Sequence, residues 1–214
     1  MKKVKVLNLF LFFSLFSFSQ INYSQKGNVE LGLRTTSSVF GRDPLLGLGT
    51  GGQARVQLLD YLNTEWYADW ITIDLNGAGT RQNAHIGWSV LFYPKKMNRF
   101  VPYVIAGHCF DYAKVIPLST ELVDRSLDEI SRWSSAVQMG VGSHYYLTDR
   151  FNITFSAQYM LHLGKHLEYE LIEQADGTSY LDTNFDNQAG ERFEGHILLT
   201  FSLNYRIGTF FGKK

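Results

Sequence analysis

Apolar and polar residues alternate one by one along most of this chain. In the C-terminal stretch RFEGHILLTFSLNYRIGTFFGKK the odd positions include Phe193, Ile197, Leu199, Phe201, Leu203, Tyr205, Ile207 and Phe211. Between them stand Glu194, His196, Leu198, Thr200, Ser202, Asn204, Arg206 and Gly208. A period of two puts successive side chains on opposite faces of a β-strand, whereas a helix repeats near 3.6. The same alternation recurs upstream. One segment sets Val29, Leu31 and Leu33 against Glu30, Gly32, Arg34 and Thr36, and the next sets Ala54, Val56 and Leu58 against Gln53, Arg55 and Gln57. Others set Trp66, Ala68 and Trp70 against Glu65, Tyr67 and Asp69, and Ile86, Trp88, Val90 and Phe92 against His85, Gly87 and Ser89. VPYVIAGHCFDYAKV is the least regular, being apolar in both phases. After it, Trp133, Val137, Met139, Val141 and Tyr145 oppose Gln138, Gly140, Gly142 and His144, and Phe151, Ile153, Phe155, Tyr159 and Leu161 oppose Asn152, Thr154, Ser156, Gln158 and His162. With the C-terminal stretch, the chain reads as eight strands.

The connections alternate in length. Short ones are LN at 62–63, KKMNR at 95–99 and DR at 149–150; long ones are GRDPLLGLGT, NGAGTRQNA, the segment 116–130 and the segment 172–192. Short turns at one end and long loops at the other describe an all-β, eight-stranded antiparallel up-and-down barrel, closed so that no edge is left unpaired. STELVDRSLDEIS, within the third long loop, is long enough for a short helix.

Two such barrels exist and they are inside out relative to one another: a soluble one with an apolar interior, and a transmembrane one with an apolar exterior. The polar face here carries Gly, Ser, Thr, Asn and Gln and almost no lysine, unlike a surface that meets water. Aromatic residues gather near the short turns, at Phe92 and Tyr93, Phe100 and Tyr103, Tyr145 and Tyr146, Phe151, Phe210 and Phe211, like the girdle at a bilayer interface. Several strands also exceed the roughly 9–11 residues that cross a bilayer at a tilt. The pattern therefore predicts a transmembrane β-barrel.

Composition refines this. Lys2, Lys3 and Lys5 precede the apolar run VLNLFLFFSLFSF, with Ser17 and Ser19 before Gln20, which reads as a signal peptide over 1–19 and a barrel domain over 20–214. The 20 basic and 20 acidic residues balance in the full chain; without the three signal lysines the charge is 0 − 3 = −3. No basic stripe points to nucleic acid. Cys109, the single cysteine, has no intramolecular disulfide partner and reads as a small apolar strand residue.

The segments GWSVLFYP before a short turn, VPYVIAG after it and a last strand ending in TFF resemble the small eight-stranded outer-membrane β-barrel proteins of Gram-negative bacteria, the OmpA-, OmpX- and OmpW-like group. The resemblance covers the whole chain after the signal segment and is one of pattern. It implies that Phe211 is the terminal aromatic read by the barrel-assembly machinery, although Gly212, Lys213 and Lys214 follow it. It also implies the bacterial outer membrane, with lipid and lipopolysaccharide as surroundings. Basic residues at the short-turn end, including Lys95, Lys96, Arg99 and Arg150, assign that end and both termini to the periplasm and the long loops to the exterior.

Candidate chemistry is sparse. A small barrel is filled by its own side chains, so the inward charges Glu30, Arg34, Arg55, Glu65, Asp69, Glu194 and Arg206 are expected to pair as a plug, with Glu30 and Arg34 near the level of Arg206 and Asn204. His85, His144, His162, His166 and His196 fall on the polar face, and His108, on the irregular strand, is grouped with them as lumen residues. His162 and His166 stand about 13 Å apart on a strand and cannot chelate one ion unaided. A lipid-modifying enzyme would need its nucleophile reachable from the lipid side, and no such site is visible. The acidic segment 168–192 reads as a solvated, strand-extending hairpin. No cofactor or metal is expected.

The leading expectation is a non-enzymatic barrel with a structural or interaction role in the envelope, including as a subunit of a larger complex. Trp66, Trp70, Trp88 and Trp133 would face lipid or a protein partner. The alternative, an OmpW-like channel for small apolar molecules, needs an apolar lumen patch, for which Leu59, Ile71, Ile73, Leu91 and Leu198 are the candidates.

Overall fold

The computed structural model describes residues 26–40, 45–95, 99–117, 130–163, 170–173, 179–182 and 195–210. Eight strands close into one antiparallel barrel: β1 (Asn28–Phe40), β2 (Leu46–Leu59), β3 (Leu62–Asp74), β4 (Gly79–Phe92), β5 (Phe100–Pro117), β6 (Ile130–Tyr146), β7 (Phe151–Leu163) and β10 (Gly195–Thr209). Each pairs with the barrel strand next to it in sequence, and β1 pairs with β10 to complete the ring. A separate two-stranded hairpin, β8 (Glu170–Glu173) with β9 (Ser179–Asp182), lies in the connection from β7 to β10.

The alternation turns its apolar face outward. Leu33 is 78 % exposed and Met139 66 %, and Trp66, Trp70, Trp88 and Trp133 all face outward. Gln53, Arg55, Glu65, Asp69, His144, Asn152 and Asn204 are buried inside. A barrel with a greasy wall and a polar interior is stable only in lipid, so this is a transmembrane barrel.

Several expectations change. Tyr93, Tyr103 and Tyr146 do not join the girdle but point into the lumen, because neighbours on a strand face opposite ways and Phe92 and Tyr145 take the outward positions. Val29, placed outward by phase, is buried where a register shift between Val29 and Glu30 interrupts the β1–β10 ladder. The strand β2 begins at Leu46, so the second half of the first long connection is strand. NGAGTRQNA is not a long loop: β3 and β4 are joined by four residues, with Asn76 (φ 54°) and Gly77 (φ 77°) both left-handed. Such an Asn-Gly pair supplies the two positive-φ positions of a tight hairpin whose twist matches the flanking strands. Leu75 N donates to Gly79 O at 2.9 Å and Gly77 N to Asp74 Oδ1 at 3.0 Å, which closes the turn.

The irregular strand β5 resolves into an inward set, Val101, Tyr103, Ile105, Cys109, Asp111, Ala113 and Val115, and an outward set that includes Val104, Phe110 and His108. The inward set is mostly apolar, whereas the inward residues of β3 and β4 include Asn63, Glu65, Asp69, Arg81, Asn83, His85 and Ser89. The signal segment 1–19, Glu194, His166, Phe211, residues 119–129 of the STELVDRSLDEIS segment and the acidic stretch apart from β8 and β9 lie outside the described residues, and the last two residues of STELVDRSLDEIS, Ile130 and Ser131, open β6.

Candidate functional site

The interior is organised around two arginines. Arg55 Nε donates to Glu65 Oε2 at 2.6 Å, and its Nη1 stands 3.8 Å from Glu30 Oε2. Arg34 lies 3.3 Å from Glu65 Oε1 and 3.0 Å from Asp69 Oδ1, and its guanidinium sits 4.5 Å from the centre of the Tyr67 ring. Five of the predicted plug residues, from β1, β2 and β3, therefore form one network. Arg206 is the cross-strand partner of Glu30, as the closure of β1 on β10 requires, and Asn204 pairs with Gly32.

Backbone register explains why these groups meet. Arg55 and Glu65 are direct partners on β2 and β3. Asp69 is opposite Gly51, where the missing side chain leaves a gap; a Cβ on Gly51 would collide with the Asp69 carboxylate. Asp69 fills that gap and meets Arg34 on the far side of β2. Gly87 opens similar room for the Tyr67 hydroxyl, which donates to Gln138 Oε1 at 2.8 Å across the lumen.

Neutral groups complete the satisfaction that buried charge needs. Thr36 Oγ1 donates to Asp69 at 3.1 Å, Asn152 Nδ2 to Glu30 at 3.1 Å and Arg55 Nη1 to Thr154 at 3.1 Å. Gln53 Nε2 donates to Asn204 Oδ1 at 2.5 Å, tying β2 to β10. Toward the short turns, Asn63 donates to the Tyr93 hydroxyl, which is 3.1 Å from His144 Nε2. The network thus runs from one wall of the lumen to the other.

Toward the long-loop end a second polar group gathers His85, Asp111, His162 and His196, with Ser134 beside them. Asp111 went unnoticed in the sequence because β5 has no clean phase; its position two residues from the buried Cys109 is the signal that places it inward. Among the described residues, no three or more His, Cys, Asp or Glu side chains already converge to hold a metal ion.

The apolar residues form two clusters. Ile71, Ile73, Leu75, Val115 and Leu198 belong to one, which also contains Tyr67, Cys109 and Met160; Leu91, Tyr93, Val101, Tyr103, Ile105 and Tyr146 form the other. Of the patch candidates, Leu59 is not among them. It is exposed at the β2–β3 turn, where the ladder shifts register after Gln57.

His108 is the other departure: it faces outward from β5, with its Nε2 2.6 Å from Ser135 Oγ on β6 and its ring edge-on to Phe110 at 5.1 Å. A polar pair in a lipid-facing wall is tolerable because each member satisfies the other. Among the described residues no carboxylate bonds to this imidazole.

No protein-family model matches the chain, and no curated protein matches it in sequence. Solved structures share its fold. Neisserial surface protein A matches with a TM-score of 0.56 at 11 % identity over 84 % of this chain and 96 % of that one. The attachment invasion locus protein Ail of Yersinia pestis matches at 0.51 and 13 %, over 86 % and 100 %. A major outer membrane protein of Thermus thermophilus matches at 0.53 and 12 %, over 84 % and 99 %. The chain has the fold of the small eight-stranded outer-membrane barrels.

Proposed function

We propose that this protein is a non-conducting barrel of the bacterial outer membrane with a structural or interaction role, its short turns and termini in the periplasm and its long loops outside. The observation that carries this reading is the network from Glu30 to Asp69, in which Arg34 is 3 % and Arg55 1 % exposed inside the lumen. A charged, fully paired plug leaves no water-filled path, and opening one would separate buried ion pairs. What such a barrel can offer is its surface: the lipid-facing wall, with lipid and lipopolysaccharide around it, and the long loops, where an envelope protein partner would dock. During biogenesis the assembly machinery would read the end of β10, with Phe211 as the signal residue.

The apolar-channel reading draws on the Ile71, Ile73 and Leu198 cluster. Those side chains are at most 1 % exposed and Arg34 and Asp69 occupy the neighbouring lumen, so the cluster serves as packing. Reconstitution in planar bilayers and in liposomes tests the proposal. No stepwise conductance and no uptake of small apolar solutes are expected, whereas open channels or solute flux would reverse it. A mild-detergent pull-down from native membranes should then recover a partner in stoichiometric amount.

A further inference from the structure

The short turn between β6 and β7 carries an arginine whose side chain reaches across the outer wall. Thr148 Oγ1 accepts from Arg150 N at 3.2 Å and from Phe151 N at 3.0 Å, and Arg150 O accepts from Arg206 N on β10 at 2.8 Å. Both backbone groups of Arg150 are thereby fixed, which limits where its guanidinium can go. Its Nη1 donates to the Tyr205 hydroxyl at 3.1 Å. Tyr205 alternates with the buried Asn204 and so takes an outward position on β10, between the exposed Leu203 and Ile207. It stands directly opposite Phe151 on β7, and the two rings lie 4.9 Å apart.

Phe151 belongs to the outward aromatic girdle and Tyr205 stands beside it, so the guanidinium lies at the edge of the hydrocarbon, the level of lipid phosphates. An arginine at this depth lays its methylene stem along the greasy wall and keeps its charged head at the interface. Of its N–H donors in a planar fork, Tyr205 takes one, and among the described residues no carboxylate pairs with it. The remaining fork matches two oxygens of a phosphodiester. The Tyr205 hydroxyl, accepting from Arg150, keeps its own hydrogen to donate to the same anion. Farther into the membrane, Leu203 opposite Ile153 and Phe201 opposite Phe155 continue the outer wall as a surface for acyl chains. At this rim the described residues Lys26, Lys95, Arg99 and Arg150 outnumber Asp60 and Asp149, which favours an anionic headgroup over a zwitterionic one.

We infer that Arg150 and Tyr205 clamp the phosphodiester of an anionic glycerophospholipid, whose acyl chains lie on the outer wall over β7 and β10. The leaflet is the periplasmic one, which rests on the orientation proposed above; the clamp itself needs only the short-turn end of the barrel.

The test is native mass spectrometry of the folded protein released from nanodiscs of phosphatidylglycerol and phosphatidylcholine in equal amounts. One phosphatidylglycerol retained per barrel, in preference to phosphatidylcholine, is expected. Arg150→Gln should lower that retention about tenfold or more, through lost hydrogen bonds to a charged group, and Tyr205→Phe about threefold. Arg150→Lys keeps the charge without the fork and should fall between the wild type and Arg150→Gln. Equal retention of the two lipids, or a loss in Lys95→Gln as large as in Arg150→Gln, overturns the proposal by reducing the site to diffuse charge. Displacement of the lipid by excess inorganic phosphate overturns it too, by assigning the clamp to a free anion. Should Arg150→Gln fail to fold, as judged by heat-modifiable gel migration, Tyr205→Phe decides, and unchanged retention there overturns the assignment. Conductance and partner recovery do not enter this measurement, so a failed clamp and a failed functional reading give different results.

Discussion

Gly51 and Asp69 are cross-strand partners on β2 and β3, and the carboxylate of Asp69 crosses the space above Gly51 to reach Arg34 Nε at 3.0 Å. The plug therefore depends on a side chain that is missing. Gly51→Ala places a methyl group against the carboxylate and the Ala68 carbonyl, and should destabilise the barrel by about 1–3 kcal/mol, the usual cost of overpacking. A lowered urea midpoint for unfolding from lipid vesicles is the expected reading; an unchanged midpoint would mean that Asp69 has room to move aside.

Glu65 serves both arginines, at 2.6 Å from Arg55 Nε and 3.3 Å from Arg34 Nη1. Its replacement by alanine leaves two buried guanidinium groups sharing fewer carboxylates, at a cost of about 3–5 kcal/mol. Combining Glu65→Ala with Arg55→Ala should cost clearly less than the sum of the two single changes, because the second removes a charge that the first had stranded. A double-mutant cycle on unfolding free energies measures this, and simple additivity would show the pair to be uncoupled.

Met139 faces outward between Trp133 and Tyr145 on β6. Arginine at this level has to enter hydrocarbon, so Met139→Arg should lose about 2–4 kcal/mol when the protein is folded in vesicles. Equal stability of the two proteins in lipid would contradict a lipid-facing wall.

Ser135 and His108 satisfy one another on the outer wall. Ser135→Ala should cost about 1–2 kcal/mol by leaving the imidazole without its partner. The double change Ser135→Ala with His108→Leu should restore stability to the wild-type level or above it, since neither polar group then remains. A double change that stays as unstable as the single one would assign the pair a role other than mutual satisfaction.

Strand existence, number and face were legible in the sequence wherever one phase was clearly apolar. In β3 the pattern of Trp66 and Trp70 against Glu65 and Asp69 needs nothing beyond the pleat of a strand to separate lipid from lumen. The same rule, applied strictly, would have sent Tyr93 and Tyr146 inward, since each follows an outward aromatic residue. The Asn76-Gly77 turn was also readable from its dipeptide, but its place inside a polar stretch disguised it as loop.

The closed antiparallel barrel and the direction of its greasy face can be read from the sequence, because both follow from local alternation and from the requirement that no strand edge be left open. Tertiary structure alone decided which lumen groups meet. Arg34 reaches Asp69 past a glycine on the strand between them, and His85 joins His162 and His196 only because strand register and barrel curvature carry them to one level. Distances across a closed sheet depend on stagger and tilt summed over several strands, and no single segment of sequence encodes that sum.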